Sequence, residues 1–385
     1  MDERIRKAML AIEEERIDEA IRILEPMAKE YNPEPDALVY LGIAYVQDER
    51  PEDAIKVFRQ AQDIAEDHCV VALFLGRALR GLGKLDEAEE ELRRAISLDP
   101  EGPESWIELG KLLYDKGNYR DTVRIMEEAI LLFPDDLSLR GTNALALHRL
   151  GDFTEATLEW ETLYKLSPEL MAARTNYAYT LLLQNRMDDA LPLVDSTYSM
   201  DPTDYRSLVL KGIVALSKNE IQEAKNYFER VLKVEPENVQ ALSRLAVIYH
   251  EEGKTALCDK YLKVAEQYID ASTECWRGLC YAYSELNMYS EHMACLTKWS
   301  QNDPGAAAPW IAIAIEYNRI SKKDEALNAW RKAMSLRGYI RINCPSCGNS
   351  SKFDFESYDD FNPFADAECS KCGENIPMPR GLLTF

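Results

Sequence analysis

Residues 69–102 read CVVALFLGRALRGLGKLDEAEEELRRAISLDPEG, and this one stretch decides the fold. Leu73, Leu75, Leu79 and Leu82 return at helical spacing, until Gly81-Leu82-Gly83-Lys84 interrupts the pattern. A second helix runs on from Leu85-Asp86-Glu87-Ala88, with Leu92, Ala95 and Ile96 on its inner face. Asp99-Pro100 stops it, because proline offers no backbone donor and disfavours helical geometry at the residue before it. The stretch is a helical hairpin.

The same text recurs every 34 residues. Pro100, Pro134, Pro168, Pro202 and Pro236 keep that step, and Pro304 lies two steps further. One phase holds small residues at Ala20, Ala54, Ala88, Ala156, Ala190, Ala224 and Ala326. A second holds large ones, among them Leu24, Phe58, Leu92, Met126, Trp160, Phe228, Leu296 and Trp330. A third runs Gly42, Gly76, Gly110, Ala144, Ala178, Gly212, Ala246, Cys280 and Ala314. Small residues at two phases mark where helix backbones approach closely, and a larger side chain there would cost roughly 1–3 kcal/mol. Ten units begin near residues 1, 35, 69, 103, 137, 171, 205, 239, 273 and 307, so a repeat array is expected over 1–338.

The pattern Trp106…Leu109-Gly110…Leu113, with Leu41-Gly42…Tyr45…Ala54…Phe58…Ala61 in a neighbouring unit, resembles the tetratricopeptide repeat (TPR). The first unit departs from it, with Lys7 and Ala8 in place of Leu-Gly, and the ninth puts His292 at the Ala phase. The resemblance implies an all-α, right-handed superhelical solenoid of about ten hairpins. It also implies a protein-binding groove lined by the first helix of each unit, since a lone hairpin cannot bury its apolar face. Carried onto this chain, the third to fifth units would line that groove with Arg77, Arg80, Lys111, Tyr114, His148 and Arg149. Guanidinium and ammonium groups in a concavity suit a carboxylate, so the expected partner is an acidic protein or peptide segment. Solvated helix positions are the plainer reading of the same residues. Units nine and ten offer a second set, Arg277, Tyr281, Asn318 and Arg319; neither set has the Lys-Asn-Asn-Lys-Arg clamp of chaperone-binding TPR proteins. Tyr179, Leu182, Val209, Ile213 and Leu216 either accept a partner helix or are buried by tight winding.

The helical text ends at Arg337-Gly338, and residues 339–385 form a separate segment. Cys344-Pro345-Ser346-Cys347-Gly348 and Cys369-Ser370-Lys371-Cys372-Gly373 lie 21 residues apart. Each such turn aims two thiolates at one ion, and its glycine permits the left-handed backbone that turns amide donors toward sulfur. Four thiolates suit tetrahedral Zn²⁺ at about 2.3 Å, so Cys344, Cys347, Cys369 and Cys372 are the expected ligands. The segment resembles a zinc ribbon, with short strands at Tyr339–Asn343 and Lys352–Phe355, and also rubredoxin, whose iron takes the same four thiolates. A ribbon docked through Ile342, Phe353 or Phe355 would cap the end face left by Leu327, Trp330 and Met334; a mobile ribbon with a partner of its own is the alternative. Cys258 and Cys280 read as buried small hydrophobes, and Cys69, Cys275 and Cys295 have no neighbour at ligand spacing.

Lys and Arg number 45 against 67 Asp and Glu, a net charge of −22 that disfavours nucleic acid. The opening Met1-Asp2-Glu3-Arg4-Ile5-Arg6-Lys7 is charged where a signal peptide would be apolar, and no run approaches a membrane span. Nine cysteines read as thiols and metal ligands, which fits a cytoplasmic location. With no Ser-His-Asp order, phosphate loop or His-rich metal motif, the expectation is a non-enzymatic scaffold or adaptor. Two alternatives stay open. One is a redox- or metal-responsive regulator with a rubredoxin-like iron site, and the other an adaptor resembling the bacterial lipopolysaccharide-assembly regulator.

Overall fold

The structure is a computed structural model, and it describes residues 2–269, 273–344, 346–347, 350–354, 367–369 and 371–376. Phe355 and Gly348 lie outside the described residues. Among those described, twenty α-helices follow one another in pairs. By contact the chain divides into two compact units, Met1–Thr142 and Asn143–Phe385.

In the first unit the pairs are α1 (Glu3–Glu13) with α2 (Ile17–Ala28), α3 (Pro35–Gln47) with α4 (Pro51–Ile64), α5 (Cys69–Gly81) with α6 (Leu85–Leu98), and α7 (Pro103–Asp115) with α8 (Tyr119–Leu132). The unit boundary falls within α9 (Leu137–Arg149), which is followed by α10 (Phe153–Leu166). Then come α11 (Met171–Leu183) and α12 (Met187–Met200), α13 (Tyr205–Ser217) and α14 (Ile221–Val234), and α15 (Val239–Glu251) and α16 (Thr255–Gln267). The last four are α17 (Thr273–Glu285), α18 (Tyr289–Asn302), α19 (Ala308–Arg319) and α20 (Lys323–Arg337).

Why the chain folds this way is written at two of the repeated phases. At the third phase the helices touch: a Cβ on Gly42 would lie 2.3 Å from the Phe58 ring, and one on Gly212 2.5 Å from Phe228. Small residue faces large residue within each hairpin. At the hairpin turn a residue takes positive φ at every period: Glu15, Glu49, Gly83, Gly117, Gly151, Asn185, Asn219, Gly253, Asn287 and Ser321. Glycine and asparagine adopt that geometry cheaply, which is why they occupy seven of the ten turns. The large-residue phase forms the core, with Leu24, Phe58, Leu92, Met126 and Phe228 wholly buried. The ninth hairpin also closes: His292 is buried, and burial lowers its pKa.

Gly338 caps α20 in the left-handed conformation. Beyond it β1 (Tyr339–Asn343) pairs antiparallel with β2 (Ser350–Asp354), and β3 (Ala367–Glu368) with β4 (Asn375–Ile376). The second strand thus starts two residues earlier than its alternation suggested. No helix among the described residues is long and apolar enough to cross a membrane.

Candidate functional site

Two groups of side chains combine reactive chemistry with defined geometry. The first lies in the first unit, around a half-open cavity of about 510 Å³. Ile43 and Val46 of α3 and Phe74 of α5 make its apolar wall; Arg77, Arg80, Glu108 and Asp115 make the polar one. Glu108, only 12% exposed, is the hub: Arg80 lies 3.0 Å away, Lys111 3.5 Å and Arg77 3.8 Å. Arg80 also donates to Asp115 from Nε at 2.8 Å. Arg77 stands half exposed with its guanidinium 5.4 Å over the Phe74 ring. Tyr114 meets Tyr119 edge to face at 5.1 Å. Three cations therefore face two carboxylates, which leaves the cluster positive in an acidic chain.

His148 and Arg149, assigned by sequence to the same set, belong to the second unit. His148 is enclosed: its Nε2 lies 2.6 Å from Thr180 Oγ1, and its ring packs edge-on against Phe153 and stacks with Tyr179. Burial, with Arg277 and Arg149 nearby, drives its pKa down to about 3, so the ring is neutral at physiological pH. Arg149 pairs with Asp303 at 3.4 Å and is 18% exposed. Of the second cationic set, Arg277 sits 5.1 Å over Phe153, Tyr281 lies under Arg244, and Arg319 pairs with Glu316. In the apolar stretch Val209 and Ile213 are buried, and Tyr179, Leu182 and Leu216 are partly so.

The second group is the four cysteines. Cys344, Cys347, Cys369 and Cys372 bring all four sulfurs within 4.8 Å of one another. Cys344 Sγ lies 3.6 Å from Cys372 Sγ, and Cys347 Sγ 3.7 Å from Cys369 Sγ. A tetrahedron with metal–sulfur bonds of about 2.3 Å has edges of about 3.8 Å, so the donor set fits one ion. Cys344 and Cys369 are buried while Cys347 and Cys372 are exposed, which makes the site half open. Gly373 takes φ 71°, and the amides of Cys372 and Lys371 donate to Cys369 sulfur. Those donors lower the Cys369 pKa to about 6, favouring the thiolate that a metal requires. Cys344 and Cys369 also belong to one apolar cluster with Trp330 and Met334 of α20.

One juxtaposition escaped the sequence reading. Cys280 and Cys295 bring their sulfurs to 2.7 Å across the α17–α18 hairpin. Fifteen residues apart, they match no ligand motif, and only hairpin closure brings them together.

Tetratricopeptide repeat models match residues 5–68, 142–205 and 209–257, and a further TPR repeat model matches 76–117. Together they cover more than half of the chain. Among curated proteins, the human Protein O-mannosyl-transferase TMTC1 is 28% identical over 216 residues, 53% of this chain and 24% of that protein. The Probable UDP-N-acetylglucosamine–peptide N-acetylglucosaminyltransferase SPINDLY of Solanum lycopersicum is 32% identical over 103 residues, 26% of this chain and 11% of that one. The chain thus spans a quarter or less of the length of these two relatives. Among solved structures, a tetratricopeptide repeat protein from Parabacteroides merdae is 17% identical with a TM-score of 0.47, over 67% of this chain and 97% of that chain.

Proposed function

Because the chain belongs to the tetratricopeptide repeat family, we propose that it is a protein-binding scaffold without catalytic chemistry of its own, one that carries zinc at its C-terminal cysteines. The observation that carries the binding reading is the cavity of the first unit. Phe74, Ile43 and Val46 offer an apolar seat beside the half-exposed Arg77, and Lys111 reaches the Glu108 carboxylate of the same wall at 3.5 Å. An acidic segment that places an apolar side chain on Phe74 and a carboxylate on Arg77 complements both walls. His148 and Arg149 are engaged within the second unit, so the binding assignment narrows to Arg77, Arg80, Lys111 and Tyr114.

Residues 339–385 act as a structural zinc ribbon in this reading. The burial of Cys344 and Cys369 in the cluster of Trp330 and Met334 supports a cap on the last hairpin. The free thiols and the charge of −22 fit a cytoplasmic protein that avoids nucleic acid.

The test pairs two measurements. Wild type and Arg77→Glu/Lys111→Glu baits are compared by affinity capture; partners lost by the variant locate binding at the cavity, and identical sets from both baits reject it. Elemental analysis of the purified protein should give close to one zinc per chain. Less than about half an equivalent rejects the metal reading, and one equivalent of iron with visible absorption assigns a rubredoxin-like centre instead.

A further inference from the structure

Residues far apart in sequence meet at the turn between α9 and α10. Asp152 opens α10, where its carboxylate accepts the Glu155 amide as a cap. The same carboxylate is buried against Arg337, the last residue of α20, at 2.8 Å. It also accepts the hydroxyl of Tyr339, the first residue of β1, at 2.6 Å. Arg337 lies 4.7 Å over the Tyr339 ring. Beside this trio the Ala307 amide donates to the Arg149 carbonyl at 3.1 Å. A Cβ on Gly151 would lie 3.1 Å from Ile311. None of these contacts belongs to the stacking of neighbouring hairpins. They form a clasp between the fifth repeat and the last one, with Tyr339 just beyond it.

We propose that metal at the four cysteines controls this clasp: loading holds Tyr339 on Asp152, and metal loss releases the turn. The inference rests on the metal reading above. Tyr339 and Cys344 are the two ends of one short run, with β1 between them. Among the described residues, β1 pairs with a single partner strand, and β3–β4 is a two-residue ladder. Ladders of that size are marginal by themselves, and in small metal modules the binding free energy of the ion is the folding free energy. Without the ion β1 depends on its five-residue ladder with β2 and on its junction with α20, which is too little to keep its register, and the Tyr339 hydroxyl leaves Asp152. The Asp152–Arg337 pair then keeps its desolvation cost with one hydrogen bond fewer, an arrangement that favours hydration of the turn.

Hydrogen–deuterium exchange read by mass spectrometry tests this on the full chain. Three samples are compared: zinc-loaded wild type, the same protein after chelation, and zinc-loaded Tyr339→Phe. Chelation should accelerate exchange about tenfold or more in peptides covering 147–155 and 303–311, not only in 339–376. Tyr339→Phe should accelerate 147–155 while exchange in 340–344 and 350–354 and the zinc content are unchanged. If chelation speeds exchange within 339–376 alone, the coupling is wrong although the metal site stands. If the purified protein binds no metal, both readings fall together, and the zinc measurement makes that case recognisable.

Discussion

Arg80 in the first unit and His148 in the second stand two periods apart at the same phase of the repeat, and their surroundings are opposite. Arg80 meets Glu108 and Asp115 on a cavity wall open to water. His148 is sealed between Phe153, Tyr179 and Thr180, and beside it Arg149 and Asp152 face the last two repeats. In the first unit, charge decorates a cavity; in the second, charge ties distant repeats of that unit to one another. The lesson is that repeat phase dictates which residues pack within a hairpin, but not what a groove position will face.

That contrast can be broken most severely at Asp152. Asp152→Ala leaves Arg337 buried without its carboxylate, and the second unit should lose about 3–5 kcal/mol in urea unfolding while the first keeps its midpoint. A loss below about 1 kcal/mol would mean that water already reaches the pair. The intra-hairpin contacts should show no contrast at all. Gly42→Val and Gly212→Val each force a side chain into a phenylalanine ring, so each should cost its own unit an amount at the upper end of about 1–3 kcal/mol.

Acid sharpens the comparison further. His148 titrates near 3 when folded and at about 6.5 when unfolded, so the unfolded chain takes up the proton first. Stability is therefore complete above pH 6.5 and falls as the pH drops toward 3, by about 1.4 kcal/mol at pH 5.5. The second unit should soften on acidification, and His148→Leu should flatten that slope. An unchanged slope would show that the ring is hydrated. The smallest effect is expected at Arg80. Arg80→Ala should cost the first unit less than about 1 kcal/mol, because its ion pairs lie at a wet cavity wall.

Much of this is legible in the sequence. The hairpin boundaries follow from Gly83 and Pro100 and their counterparts, since turn geometry and proline sterics act over a few residues. The four-cysteine cluster was equally plain, because two thiols in one tight turn announce themselves by spacing. Glu15, Glu49 and Ser321 show the limit of such local signals: they hold the same positive φ as the glycines, imposed by the hairpin around them. The cavity cations were found but not their partners, since Arg80 reaches Glu108 only across to α7. Cys280 reads in sequence as a buried small hydrophobe and Cys295 as lacking a neighbour at ligand spacing, and their meeting stays hidden for the same reason.

The period, the hairpin and the four-thiolate set were written in residues close enough along the chain to constrain one another directly. Folding alone settled which cations stay in water and which are sealed, and it alone brought Asp152 to Arg337 and Tyr339. The physical reason is that small rotations between successive repeats add up, so a contact across five hairpins depends on their sum, which no single stretch of residues encodes.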